Sequence, residues 1–359
     1  PGGLANSGTV ELRDLEVVGN KSTAITNSGT AVLHDLTLVG NSPRAIDNSG
    51  SMTIAGAEIR PAPPRDGWSS PIGDGLFNSG TLTMRDSDID GHRGIGLSNR
   101  GTMILERVDV INNDNAIAGA GVGGSGGIVN TGKSAVLRMT GGSIVNNTGE
   151  FGGALGAGGL DNRFGRATLT NVTFADNMGY RSGLGDKTTF VNSTITGNSW
   201  LVSDGDPTLV NTITIGNSIR GIADAIDPVD FDSFPQVGPN IIDDALTIDG
   251  VPVRTGITPV EVFVATTPSG DGVVAENGGG TLTVAIKPDG SAVDAGDNAL
   301  ALGPDGTPLT TDARGEGFLR IVGGQVDLGA FEVQGDTPPP ALRLLRPVVG
   351  DATVDAFAV

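Results

Sequence analysis

The sequence predicts an all-β fold: a right-handed, single-stranded parallel β-helix of about twelve coils with a C-terminal capping region. Three observations carry that prediction. The phrase Asn-Ser-Gly returns at Asn6, Asn27, Asn48 and Asn78, with looser copies at Asn99, Asn130 and Asn162; the first two intervals are 21 residues each. A fixed period of that size marks stacked units, each burying its apolar face against its neighbours. Each unit holds two short runs of alternating apolar and polar residues, the strand signature. The 58 Gly and 20 Pro of 359 residues, with only 4% aromatics, suit many turns and an aliphatic core.

The units align residue by residue. Leu12, Leu15 and Val17 of the first fall on Leu33, Leu36 and Leu38 of the second. Leu12 and Leu15 stand three apart, so the alternation slips by one at a polar bend, repeated at Asp14, Asp35, Asp86 and Asn171. A turn there keeps both leucines facing inward. Later units continue through Thr81–Ile89, Thr102–Val110, Thr168–Phe174, Val191–Ile195 and Val210–Ile213. Each strand then pairs with its counterpart one coil away, about 4.8 Å up the rod. Right-handedness is the rule for parallel crossovers.

The Asn of each Asn-Ser-Gly tolerates the left-handed backbone of a tight turn, and the Gly tolerates it better. In register, Asn6, Asn27, Asn48, Asn78, Asn99, Asn130 and Asn162 are expected to form a structural ladder of amides rather than a ligand row. The longer intervals, from Asn48 to Asn78 and from Asn99 through Asn130 to Asn162, place extra residues at 60–75, 114–127 and 148–160. Insertions at one phase of a solenoid gather on one face, often the binding face. The first insertion carries Arg60, Arg65, Trp68 and Asp74, a candidate glycan platform; the other two are mostly Gly, Ala and Asn.

Chemistry is sparse. With no cysteine, zinc–thiolate clusters, iron–sulfur centres, thiol catalysis and disulfides are excluded. Polysaccharide hydrolysis wants clustered carboxylates, and lyase chemistry wants a base beside a neutralising cation. The polygalacturonase series of Asn-Thr-Asp, Asp-Asp, Gly-His-Gly and Arg-Ile-Lys is absent. Asp86, Asp88 and Asp90, close to His92, form the best metal or catalytic candidate in the rod, with calcium the candidate ion. The net charge of −19, from 41 acidic and 22 basic residues, repels nucleic acid and anionic membranes. No apolar run is long enough to span a membrane.

The Asn-Gly rhythm fades near Gly221. Then come Glu276-Asn277-Gly278-Gly279-Gly280-Thr281-Leu282-Thr283, Ala292-Val293-Asp294-Ala295-Gly296-Asp297, Thr311-Asp312-Ala313-Arg314-Gly315 and Val326-Asp327-Leu328-Gly329-Ala330-Phe331-Glu332. This resembles the choice-of-anchor Q region of bacterial surface proteins, which ends a right-handed β-helix similar to polymorphic outer-membrane proteins and pectate-lyase-like folds. The resemblance implies an extracellular or cell-surface protein, usually without assigned catalysis, and carries over no catalytic residues. Asp312, Arg314 and Asp327 are expected to cap the rod, Asp312 and Arg314 as an ion pair.

Three segments follow: regular coils over 1–220, irregular coils and cap over 221–335, and a Pro-rich linker with a strand-like tail over 336–359. The favoured function is a non-catalytic structural or adhesin-like surface protein, whose partners are glycans or further copies of itself in a filament. The alternative is a lyase or glycoside hydrolase acting on acidic glycans.

Overall fold

A computed structural model describes residues 3–63, 73–115, 124–149, 156–162, 164–179, 187–198, 207–217, 234–242 and 245–335. The protein is a right-handed parallel β-helix built on a long and a short parallel sheet. In the long sheet, rungs 1–6 are the strands Thr9–Val18, Thr30–Val39, Ser51–Arg60, Thr81–Asp90, Thr102–Ile111 and Val136–Val145. Rungs 7–10 split at the bend: Arg166–Thr170 with Thr173–Ala175, Thr188–Val191 with Thr194–Thr196, Thr208–Val210 with Ile213–Thr214, and Gln236–Val237 with Pro239–Ile242. The short sheet stacks seven strands, from Leu4–Asn6 to Leu160–Asp161.

The bend is a left-handed residue in rung after rung: Asp14 (φ 51°), Asp35 (φ 53°), Gly56 (φ 71°), Asp86 (φ 51°) and Asn171 (φ 53°). Asp, Asn and Gly tolerate that conformation best, so the slip between Leu12 and Leu15 is resolved locally. Inward side chains then stack by kind. Leu12, Leu33, Ile54, Met84, Leu105, Met139 and Leu169 form one column in register. From Leu33 onward this column is buried, and each such side chain contributes roughly 1.5–3 kcal/mol.

Two polar columns run through the turns. In the first, each Asn Nδ2 donates to the next Asn Oδ1: Asn6 to Asn27, Asn27 to Asn48, Asn48 to Asn78 and Asn78 to Asn99 at 2.8 Å. It continues from Asn99 to Asn130 at 2.8 Å and from Asn130 to Asn162 at 2.7 Å. The second column, at the far end of the long strands, links Asn113, Asn147, Asn177, Asn198 and Asn217 at 2.9–3.0 Å. Each Asn there follows a left-handed residue: Asn112, Asn146, Asp176, Gly197 or Gly216.

After rung 10 the sheet turns antiparallel through Ala245–Ile248 and Val251–Thr255. The chain then folds back along the side of the rod. The Gly272 and Ala330 amides donate to the hydroxyls of Thr196 and Thr194, both at 3.0 Å. Asn171 donates to the Thr311 carbonyl at 2.8 Å, and the Thr281 hydroxyl to Asp109 at 2.6 Å. Residues 257–335 thus cover the outer face beyond the bend from rung 5 to rung 10. The reason lies in that face: Ile213, Ile215 and Ile241 point outward and form a second core with Phe263, Val284, Ile286, Leu328 and Phe331. On rungs 1–4 the equivalent positions carry Glu16, Thr37, Glu58 and Asp88, and stay open.

Candidate functional site

The sequence candidates are largely engaged in structure. Arg60 ends rung 3 and pairs with Glu58 at 2.5 Å. Asp74 accepts the Ile95 amide at 3.0 Å and pairs with Arg44 at 3.4 Å, whose guanidinium lies 4.7 Å over the Phe77 ring. Arg65 and Trp68 lie outside the described residues.

Asp86, Asp88 and Asp90 do not converge. Asp86 occupies the bend and pairs with Arg107 at 2.7 Å and Arg85 at 3.1 Å. Asp88 and Asp90 project from one strand face, where i and i+2 side chains stand about 7 Å apart. Burial and mutual repulsion raise Asp88, with Glu58 adding to it; burial raises Asp90, against a hydrogen bond from Asn112. Among the described residues no three His, Asp or Glu side chains are arranged to hold a metal.

His92 is buried in the second polar column. Its amide donates to Asn113 Oδ1 at 3.0 Å and its Nε2 lies 3.3 Å from the Ile59 carbonyl. Asn113 bonds in the same way to the Asn147 amide oxygen and the Ile89 carbonyl, so His92 stands in an Asn position. Burial pushes its pKa down to about 4, leaving it neutral.

Asp312 and Arg314 meet inside the lateral cover, and Asp327 is joined to them through Glu332, whose carboxylate accepts the Asp327 amide and whose amide donates to Asp312 Oδ2, both at 2.9 Å. Arg314 donates to Asp312 Oδ2 and to the Glu332 carbonyl, both at 2.5 Å, and its guanidinium lies between the rings of Phe318 (4.1 Å) and Phe331 (3.7 Å). The glycine run fits against it: Gly279 has φ 79°, and a Cβ there would fall 2.0 Å from the Arg314 carbonyl oxygen. Beside this pair lies a second one absent from the sequence expectations. Arg320, fully buried, pairs with Glu332 at 3.4 Å and donates to the Asp327 carbonyl at 2.6 Å. Burial raises the Glu332 carboxyl while Arg320 draws it back. Such buried networks hold only when their members are satisfied.

Two grooves remain. One follows the bend over rungs 1–4 and is lined by Asp14, Glu16, Asp35, Glu58, Asp86 and Asp88. The other, about 600 Å³, lies between the outer face of rungs 5 and 6 and the cover segment 303–315. Its floor presents Ile104, Glu106, Arg138 and Thr140, and Arg107 sits at its edge. Arg107 is a long side chain held at φ 50° in the bend, a conformation that costs roughly 1–2 kcal/mol; its bond to Asp86 and its contact with Gly315 hold it there. The Arg107–Asp312 side of this groove is invisible in the sequence, because its walls come from segments some 200 residues apart.

No family model matches the chain, and no curated protein matches it. Among solved structures, the crystal structure of pectate lyase Pel9A is similar, with a TM-score of 0.53 over 90% of this chain and 87% of that one at 15% identity. At that identity the likeness concerns the fold.

Proposed function

We propose that the protein is a non-catalytic, extracellular or cell-surface β-helix of choice-of-anchor Q type, serving as a structural or adhesin-like element. One observation carries this reading: beyond the bend, the outer face from rung 5 to rung 10 is occupied by the chain's own C-terminal segment. The motifs behind the resemblance build that cover, through the Asp312–Arg314 pair and the Gly279 turn. The extracellular assignment rests on the same resemblance. Among the described residues no helix is long and apolar enough to cross a membrane. A filament subunit is a variant of this reading, in which residues 336–359, outside the described residues, join neighbouring copies; their deletion should then abolish assembly.

Incubation with pectin, polygalacturonate and alginate, with and without calcium, should release no unsaturated or reducing ends. Sustained release of either would overturn the reading. The second reading, a lyase or hydrolase acting on acidic glycans, is favoured by the fold shared with a pectate lyase and by Arg107 and Arg138 at the lateral groove. Under it, any such activity falls when Arg107 or Arg138 is replaced, with calcium as cofactor.

A further inference from the structure

The lateral groove carries several charged groups, and most are spent. Arg107 is bound to Asp86 at 2.7 Å. Asp305 accepts the amide and the hydroxyl of Thr307 at 3.0 and 2.7 Å. Asp312 is buried against Arg314. Glu106 and Arg138 remain: both are exposed on the groove floor, and neither forms an ion pair or side-chain hydrogen bond among the described residues.

Their spacing is fixed by the sheet. Ile104 pairs with Arg138 and Glu106 with Thr140, so Glu106 and Arg138 are diagonal neighbours on one face. Diagonal neighbours stand about 7–8 Å apart. Alternate side chains of an extended peptide stand about 6.8 Å apart on one side of its backbone. The remaining walls mix aliphatic surface from Ile104, Pro304, Pro308 and Leu309 with the hydroxyls of Thr140, Thr307, Thr310 and Thr311. Among the described residues no aromatic ring lines the groove on which a sugar face would stack, and a polyanion would meet Glu106 within a chain of net charge −19.

We propose that this groove binds an extended peptide segment carrying a basic and an acidic residue two positions apart, the base on Glu106 and the acid on Arg138. The segment lies across rungs 5 and 6, its aliphatic neighbours against Pro304, Pro308 and Leu309. This assignment does not rest on the non-catalytic reading, and it competes with an acidic glycan for the same groove.

The test uses calorimetric or anisotropy titration of the full chain with four probes. These are a blocked Gly-Lys-Ala-Glu-Gly peptide, its Lys-Ala-Lys and Glu-Ala-Glu counterparts, and trigalacturonate. The mixed-charge peptide should bind at least tenfold more tightly than the other three. Glu106→Ala and Arg138→Ala should each remove at least tenfold of that affinity with the melting temperature unchanged. The double exchange Glu106→Arg with Arg138→Glu, which keeps one charge of each sign on the floor, should retain the preference for the mixed-charge peptide over the other three probes. Absence of binding by the mixed peptide, indifference among peptides, preference for trigalacturonate, or affinity untouched by either substitution would each overturn the proposal.

Discussion

Asp109 stands where the open outer face of the rod meets its cover. Its carboxyl is buried, accepts the Thr281 hydroxyl, and faces Asp88; burial first, then Asp88, raises its pKa from 3.8 to about 7. The folded chain therefore holds a proton that the unfolded chain has lost between those values. Stability from this group is full below about pH 4 and declines as pH rises to about 7, by on the order of 4 kcal/mol at most. His92 acts oppositely: its value is lowered from 6.5 to about 4, so its neutrality costs stability as pH falls through that window. Denaturant titrations at pH 5 and pH 8 should show Asp109→Asn losing part of the difference seen in the parent chain, the rest coming from Asp176 and Glu332, which burial raises to about 7 and about 8. An unchanged difference would contradict the burial of this carboxyl. Arg314→Ala should lower stability by about 3–5 kcal/mol, because it leaves Asp312 buried without its partner; an unaltered thermal melt would contradict that. The Asp312–Arg314 pair is legible in sequence because its members are two residues apart. The Asn171–Arg320 bond is not, because 149 residues separate the two.

At the scale of elements, the repeating phrase exposes one polar column and conceals the other. Asn-Ser-Gly keeps its spelling, so the column from Asn6 to Asn162 can be counted directly. The second column changes its first letter, from Gly19-Asn20 and Gly40-Asn41 to Asn112-Asn113, Asn146-Asn147 and Asp176-Asn177. What persists is a residue able to take positive φ, followed by an inward amide. Gly91-His92 obeys that rule, which is why a histidine that looked catalytic is a turn residue. His92→Asn should accordingly hold stability within about 1 kcal/mol, whereas Asn147→Ala, which strips partners from buried backbone and side-chain groups, should cost about 2 kcal/mol or more. Chemical denaturation of both variants checks the contrast. The strand Val251–Thr255 is exposed throughout and, among the described residues, forms the free antiparallel edge, with Val251 and Val253 presented to solvent. Pro252 interrupts its row of amide donors, a common protection of edges. Pro252→Val should raise the aggregation rate in light scattering without altering the melt.

For the whole molecule, the parallel stack follows from the period alone, but the path of the last third does not. Its signal lies in the outward positions of the rungs. The column that reads Glu16, Thr37, Glu58 and Asp88 early reads Thr173, Thr194 and Ile213 later, and Ile215 lies beyond it. A strand apolar on both faces is covered on both, and the only long stretch left in the chain to do so is the one where the Asn rhythm fades. The groove between rungs 5 and 6 and segment 303–315 exists only because of that return path. Both the non-catalytic reading and the peptide site therefore depend on the cover lying on the side of the rod. The chain has no cysteine, so an introduced pair reports without background. The direct measurement is disulfide formation between Asp109→Cys and Thr281→Cys under mild oxidation, read by peptide mapping, because the two side chains are in hydrogen-bond contact and buried. Near-complete joining of these sites, 172 residues apart, is the predicted result. A chain that stays unlinked while both thiols react with a monofunctional maleimide would contradict the lateral cover.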